Sequence, residues 1–268
     1  MPFHRSYYAV LLLAPLVLVA FWPGYFAIPR QVVFGVHAHA LTAILWLVLL
    51  ATQMWAIRTR RGHLHRTLGL ALFVFVPLFV AGGALAIQAM MTKALAGHPF
   101  YARFGPGLAA ADALATPCFL ALVAYAVAQR RHVHAHGGAM LATAVLVLPP
   151  ALGRVLPAVL PTMPSLHPFV PAFYAAQMVA VVVALVAARA DRRQAGPFRL
   201  VAANVTLQAA AFALLSPSPA AMRAFRAATA TPAAVVALTA IAVAAAVLWW
   251  AWRAGGGVRR RSPAVAYS

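Results

Sequence analysis

Two side-chain carboxylates, Asp112 and Asp191, stand against 21 lysines and arginines and ten histidines in this chain of 268 residues. So few acids rule out a paired-carboxylate glycosidase and an acid-rich magnesium site. Lys93 is the only lysine and no glycine-rich loop leads to it, so a phosphate-cradling nucleotide site has no support. Cys118 is the sole cysteine, which leaves no internal disulfide, no paired-cysteine redox motif and no thiolate cage; it reads as packing.

The groups that remain are ionisable residues inside apolar runs: His39, Asp112, Arg154 and, with them, Tyr174. Each charged one costs about 2.5–3.5 kcal/mol to insert on translocon scales, so each starts as a functional hypothesis. An imidazole, a carboxylate and a guanidinium brought together would hold a protonatable or anionic solute. The competing reading is an ion pair that only orients helices. A second set lies in basic segments: His63 and His65, then His132, His134 and His136. Alternating histidines suit zinc, copper, nickel or haem iron, and His65 with His136 is the pair for a b-type haem. No His-Glu-x-x-His motif accompanies them, and the competing reading is solvation at a headgroup interface. No particular metal is implied.

The elements that must position these groups follow from composition. The chain is 65% hydrophobic and 9% charged, with a mean hydropathy of +0.88, which excludes a water-soluble enzyme. The formal charge of +19 does not point to nucleic acid, because the basic residues form short clusters between apolar runs. A hydrocarbon core about 30 Å thick needs about 20 apolar residues of helix. Eight stretches qualify, near 7–28, 34–57, 67–92, 106–128, 137–160, 169–189, 198–216 and 232–253. The expected fold is therefore an all-α polytopic transmembrane bundle, residues 1–253, followed by a flexible basic tail, 254–268. The first and seventh spans are the weakest, cut by Pro23-Gly24 and carrying Asn204 and Gln208. Ala20-Phe21-Trp22-Pro23 lacks a small-residue cleavage pattern, so the first span reads as a retained helix with an aromatic belt.

An alternating path through eight spans puts fifteen basic residues on one side. They are Arg5; Arg58, Arg60, Arg61 and Arg66; Arg130 and Arg131; Arg189, Arg192, Arg193 and Arg199; and Arg253, Arg259, Arg260 and Arg261. The other side receives Arg30, Lys93, Arg103, Arg223 and Arg226, and Arg154 falls within a span. The positive-inside rule then makes both termini cytoplasmic. In this topology His39, Asp112, Arg154 and Tyr174 each lie five or six residues from the outer end of their helix, roughly 7–9 Å deep. Pro149-Pro150, just before Arg154, predicts a kink. His39, Trp46 and Gln53 recur every seven residues and form one stripe facing the bundle, with His37 on the opposite side.

His37-x-His39, Trp46, Gln53, Leu64-His65-Arg66-x-Leu68-Gly69, His136 with Met140-Leu141-Ala142-Thr143, and Pro150-Ala151-x-x-Arg154 together resemble an uncharacterised family of multi-pass bacterial membrane proteins. The resemblance covers the first six helices. It departs at His39-Ala40, His65-Arg66-Thr67 and His136-Gly137-Gly138, where the family shows His-Gly, His-Arg-Arg and His-Lys-Arg steps. It implies a bacterial inner-membrane location and singles out His39, His65, His136 and Arg154, but no reaction. Three functions stay open: a small transporter or sensor with an outer-half polar pocket, a haem-binding redox protein, and a scaffold whose polar groups only specify packing. The bilayer is the one partner the sequence implies.

Overall fold

The computed structural model describes residues 6–161, 166–216 and 218–256, and among them it contains helices and no strands. Arg5 and the tail beyond Gly256, with Arg259, Arg260 and Arg261, lie outside the described residues. Eight helices are long and apolar enough to cross a membrane: α1 Ser6–Phe26, α2 Phe34–Arg58, α3 Leu72–Leu95, α4 Pro99–Ala128, α5 Val133–Ala158, α6 Phe169–Ala190, α7 Arg192–Leu215 and α8 Ala233–Ala254. The chain is an all-α bundle with the composition of an integral membrane protein.

Contacts between distant segments define its two ends. At the arginine-rich end Arg58 meets Tyr8, His134 meets Asp191, and Arg130 lies over the Trp252 ring at 4.2 Å. At the far end Gln88 donates to the Thr231 carbonyl and Arg154 stacks on Phe21 at 4.3 Å. Trp249 and Trp250 are exposed beside Arg253, as interfacial anchors are.

The central column is α4, which packs against α3, α5, α7 and α8. Its centre buries Phe119 and Val123 with Trp46, Val76 and Leu248. Cys118 and Leu122, on another face, join Ala142, Ala180, Ala184 and Val201, so the lone cysteine is core. Close approach is bought with small residues. On α6, Ala172, Ala176, Ala180, Ala184 and Ala188 recur every four residues, all buried, and form a flat face against α7. Between α2 and α3 the contact is tighter still. A Cβ on Gly82 would lie 2.9 Å from the backbone of Ala38 and His39, and one on Gly35 would lie 2.7 Å from the Leu85 carbonyl oxygen.

Several boundaries differ from the sequence reading, each for a local reason. The fourth helix begins at Pro99, not 106, with proline in the first turn where its missing N–H costs nothing. Gly105-Pro106-Gly107, which reads as a helix edge, is a packing site: a Cβ on Gly107 would strike Ser216 and lie 2.8 Å from the Phe212 carbonyl oxygen of α7. The third span is preceded by a separate helix, Gly62–Leu70, because His63 and Arg66 hold that segment at the polar boundary. The fifth span begins at Val133 and is interrupted at Leu146 and Val147, immediately ahead of Pro149-Pro150, where the kink was expected. A short helix, Pro219–Thr229, has no counterpart in the sequence reading. Ser218 caps it by accepting from the Ala221 N–H, and Phe225 anchors it against Ala94 and Ala109.

Candidate functional site

The polar groups of the far end gather around His39. Because Gly82 and Gly83 let α3 lie against α2, the His39 ring is held beside Phe79, centroids 5.4 Å apart, and its Nδ1 is buried without a hydrogen-bond partner. That Nδ1 faces the space where a side chain on Gly83 would begin, 3.8 Å away, and Thr116 Oγ1 borders the same space at 3.5 Å. Thr116 Oγ1 donates to the backbone carbonyl of Asp112, one turn earlier on α4. The His39 imidazole and the Asp112 carboxylate both lie within electrostatic reach of the Arg154 guanidinium. The three groups are carried by α2, α4 and α5; because α4 begins at Pro99, Asp112 lies thirteen residues from that helix end and not the six expected.

Asp112 and Arg154 do not close into an ion pair. Among the described residues the pair within bonding distance is His134–Asp191, at 3.1 Å. Arg154 instead donates to the Pro150 carbonyl at 2.7 Å and places its guanidinium over the Phe21 ring of α1. Both side chains lie deep among protein atoms and both keep accessible surface. The kink at Leu146 and Val147 turns the end of α5, and with it Arg154, toward α1.

Tyr174 is at the same end, but its ring packs on Phe173 and Phe212 at 5.5 and 6.0 Å. The tyrosine electrostatically coupled to Arg154 is Tyr101, in the first turn of α4. No spacing pattern marks Tyr101, since the residues around it read as a connection. His37 is structural: Tyr25 donates its hydroxyl to Nδ1, and Nε2–H donates to the Pro29 carbonyl, tying down the α1–α2 turn.

At the arginine-rich end a second cavity, about 420 Å3, opens between α1, α2, Gly62–Leu70 and the start of α5. His65 and His136 both line it, ring centroids 6.2 Å apart and ring planes at 89°. His136 Nδ1–H donates to the Ala126 carbonyl at 2.9 Å, which leaves Nε2 as a free lone pair. His65 Nδ1 and Gln53 Oε1 are buried without partners on the same wall. Burial, then the nearby His136 and Arg66, holds the His65 imidazole below its ordinary pKa. His134 is turned away to Asp191, whose carboxyl is held below the usual range by the Arg193 backbone N–H and by His134. Among the described residues no group of three or more His, Cys, Asp or Glu is placed to hold a metal ion.

No family model, curated protein or solved structure matches the chain.

Proposed function

We propose that this chain is a multi-pass protein of a bacterial cytoplasmic membrane, termini inside, that admits a small protonatable or anionic solute to the polar groups of the far end as a transporter or sensor. The observation that carries the reading is the unclosed Asp112–Arg154 pair, both residues within candidate spans and both keeping accessible surface. A pair that served only to orient helices would close, because an open charge in a low-dielectric setting is costly. Asp112 takes up a proton or cation, Arg154 holds the anionic part of the solute, and His39, with its unpartnered Nδ1, relays protons between them. The excess of arginine at one end supports the orientation through the positive-inside rule.

The scarcity of acids makes the test clean. Infrared difference spectra of the reconstituted protein across a pH step contain carboxyl signals from only two side chains and the chain terminus. The proposal requires a pH-dependent carboxyl band that disappears in Asp112→Asn and persists in Asp191→Asn. An unchanged spectrum in Asp112→Asn overturns it.

A further inference from the structure

We propose that His65 and His136 are the axial ligands of a b-type haem seated in the cavity at the arginine-rich end. Two imidazoles bound to one metal ion through a nitrogen each, at about 2 Å, with about 1 Å more from each nitrogen to its ring centre, have centroids about 6 Å apart. The two rings stand at 6.2 Å.

The tautomer agrees. A ligating histidine almost always donates its other ring N–H to a carbonyl or carboxylate, and His136 does so to Ala126. The buried, unpartnered nitrogen of His65 points to a ligand as well, since a polar atom in such a place otherwise goes unsatisfied.

Ligand count separates haem from a bare ion. Zinc or copper bound to protein takes three or four protein donors, and no third His, Cys, Asp or Glu joins these two among the described residues. A porphyrin supplies four nitrogens of its own and asks the protein for two.

The walls fit the rest of the macrocycle. Gly69 and Gly137 line the cavity beside the two histidines, and a Cβ on Gly69 would meet only Gln53 Nε2, at 3.6 Å, so a flat ring can approach the backbone there. Leu49 and Met140 supply apolar wall. Arg58, hydrogen-bonded to Tyr8, and Arg130, which donates to the Val127 carbonyl, border the same space and give it a positive rim suited to carboxylates. Nothing in this site depends on the polar groups of the far end, so either reading can fail alone.

The test is a hemin titration of the full-length protein in detergent, followed by dithionite reduction. The expected result is saturable one-to-one uptake with a low-spin Soret band and sharp reduced bands. His65→Ala and His136→Ala each lose the low-spin spectrum, while His63→Ala and His132→Ala keep it. Because alanine in a buried site can cost folded yield, His65→Met is the second variant. Methionine ligates haem iron and raises its potential, so this variant stays low-spin with a higher midpoint, which a purely structural histidine would not produce. Hemin uptake that is unsaturable, or equal in the double alanine variant, overturns the proposal. So does stoichiometric zinc or copper on both histidines in protein that takes up no hemin.

Discussion

Trp46 donates its indole N–H to Thr143 Oγ1 at 3.2 Å, joining α2 to α5 between the two polar compartments. Both residues are buried, and the Thr143 hydroxyl in turn donates a hydrogen bond to the Met140 carbonyl at 2.6 Å. Along the same face of α2, His39 lies seven residues toward the far end and Gln53 seven toward the arginine-rich end, each about 10 Å away. One helical stripe thus serves both compartments, with the Trp46–Thr143 bond and the Phe79–Phe119 stack, 4.4 Å between centroids, as the partition.

Removing that bond has a measurable cost. Thr143→Val leaves the Trp46 N–H buried without an acceptor, and interhelical hydrogen bonds of this kind contribute about 0.6 kcal/mol and at most about 1.7. Unfolding titrations in mixed micelles are expected to show a loss in that range for Thr143→Val and almost none for Thr143→Ser. Equal losses would mean the bond contributes nothing.

The glycine contacts between α2 and α3 predict a sharper effect. Gly82→Ala places a methyl 2.9 Å from the backbone of Ala38 and His39, and backbone cannot rotate aside. Overpacking of this sort costs about 1–3 kcal/mol. Gly153→Ala meets nothing within 4 Å and, lying inside a helix, is expected to be neutral or slightly stabilising. Thermal melts of both variants check the pair, and a stable Gly82→Ala would contradict the backbone-to-backbone packing.

Acid is predicted to destabilise the haem-free protein in two stages. His65 is held below its ordinary 6.5 by burial and by His136 and Arg66, so the unfolded chain binds the proton more readily. Stability is full above about pH 6.5 and falls as the pH drops below it. Asp191, held low by the Arg193 N–H and by His134, loses its contribution only at lower pH, below its ordinary 3.8. Melting temperature against pH is expected to lose its upper acid step in His65→Gln and its lower one in Asp191→Asn. Profiles that overlay the parent protein would show that neither group is linked to folding.

The proposal of haem ligation by His65 and His136 carries a further signature, set by the 89° angle between the two ring planes. Perpendicular imidazoles donate to the two iron d orbitals equally, which leaves them nearly degenerate and the orbital moment unquenched. The ferric, hemin-loaded protein is expected to show a strongly anisotropic low-spin electron paramagnetic resonance signal with one dominant low-field feature. A rhombic three-line signal would mean parallel rings.

Much of this was legible in the residues themselves. Eight apolar runs of bilayer length specify the spans, Pro149-Pro150 marks the break in α5, and spacing by seven puts His39, Trp46 and Gln53 on one inward stripe. Counting residues from helix ends also puts His39, Asp112 and Arg154 at one depth, but that count starts the fourth helix at 106; from Pro99, where it begins, Asp112 lies thirteen residues in, against five for His39 and four for Arg154 from their own helix ends. Depth is a one-dimensional quantity, however, and rotation about each axis is not. Tyr174 lies at the right end but turns to Phe212, because the alanine face of α6 sets its rotation against α7. Tyr101 was hidden because Gly105-Pro106-Gly107 has the composition of a turn and is in fact a point of helix contact. The helix Pro219–Thr229 is short and amphipathic, so a search for bilayer-length runs passes over it, although Ser218-Pro219 is a sound start signal.

Whether Asp112 and Arg154 face water or lipid is decided by cysteine accessibility. Cys118 is buried, so Cys118→Ala provides the background, and Thr116→Cys beside Asp112 and Val243→Cys on the exposed side of α8 provide the probes. A charged, membrane-impermeant thiol reagent is applied to intact spheroplasts. The account predicts rapid labelling of Thr116→Cys from outside, slowed when Arg154 is also changed to Gln, and none of Val243→Cys. Thr116→Cys that reacts no faster than Val243→Cys would contradict it.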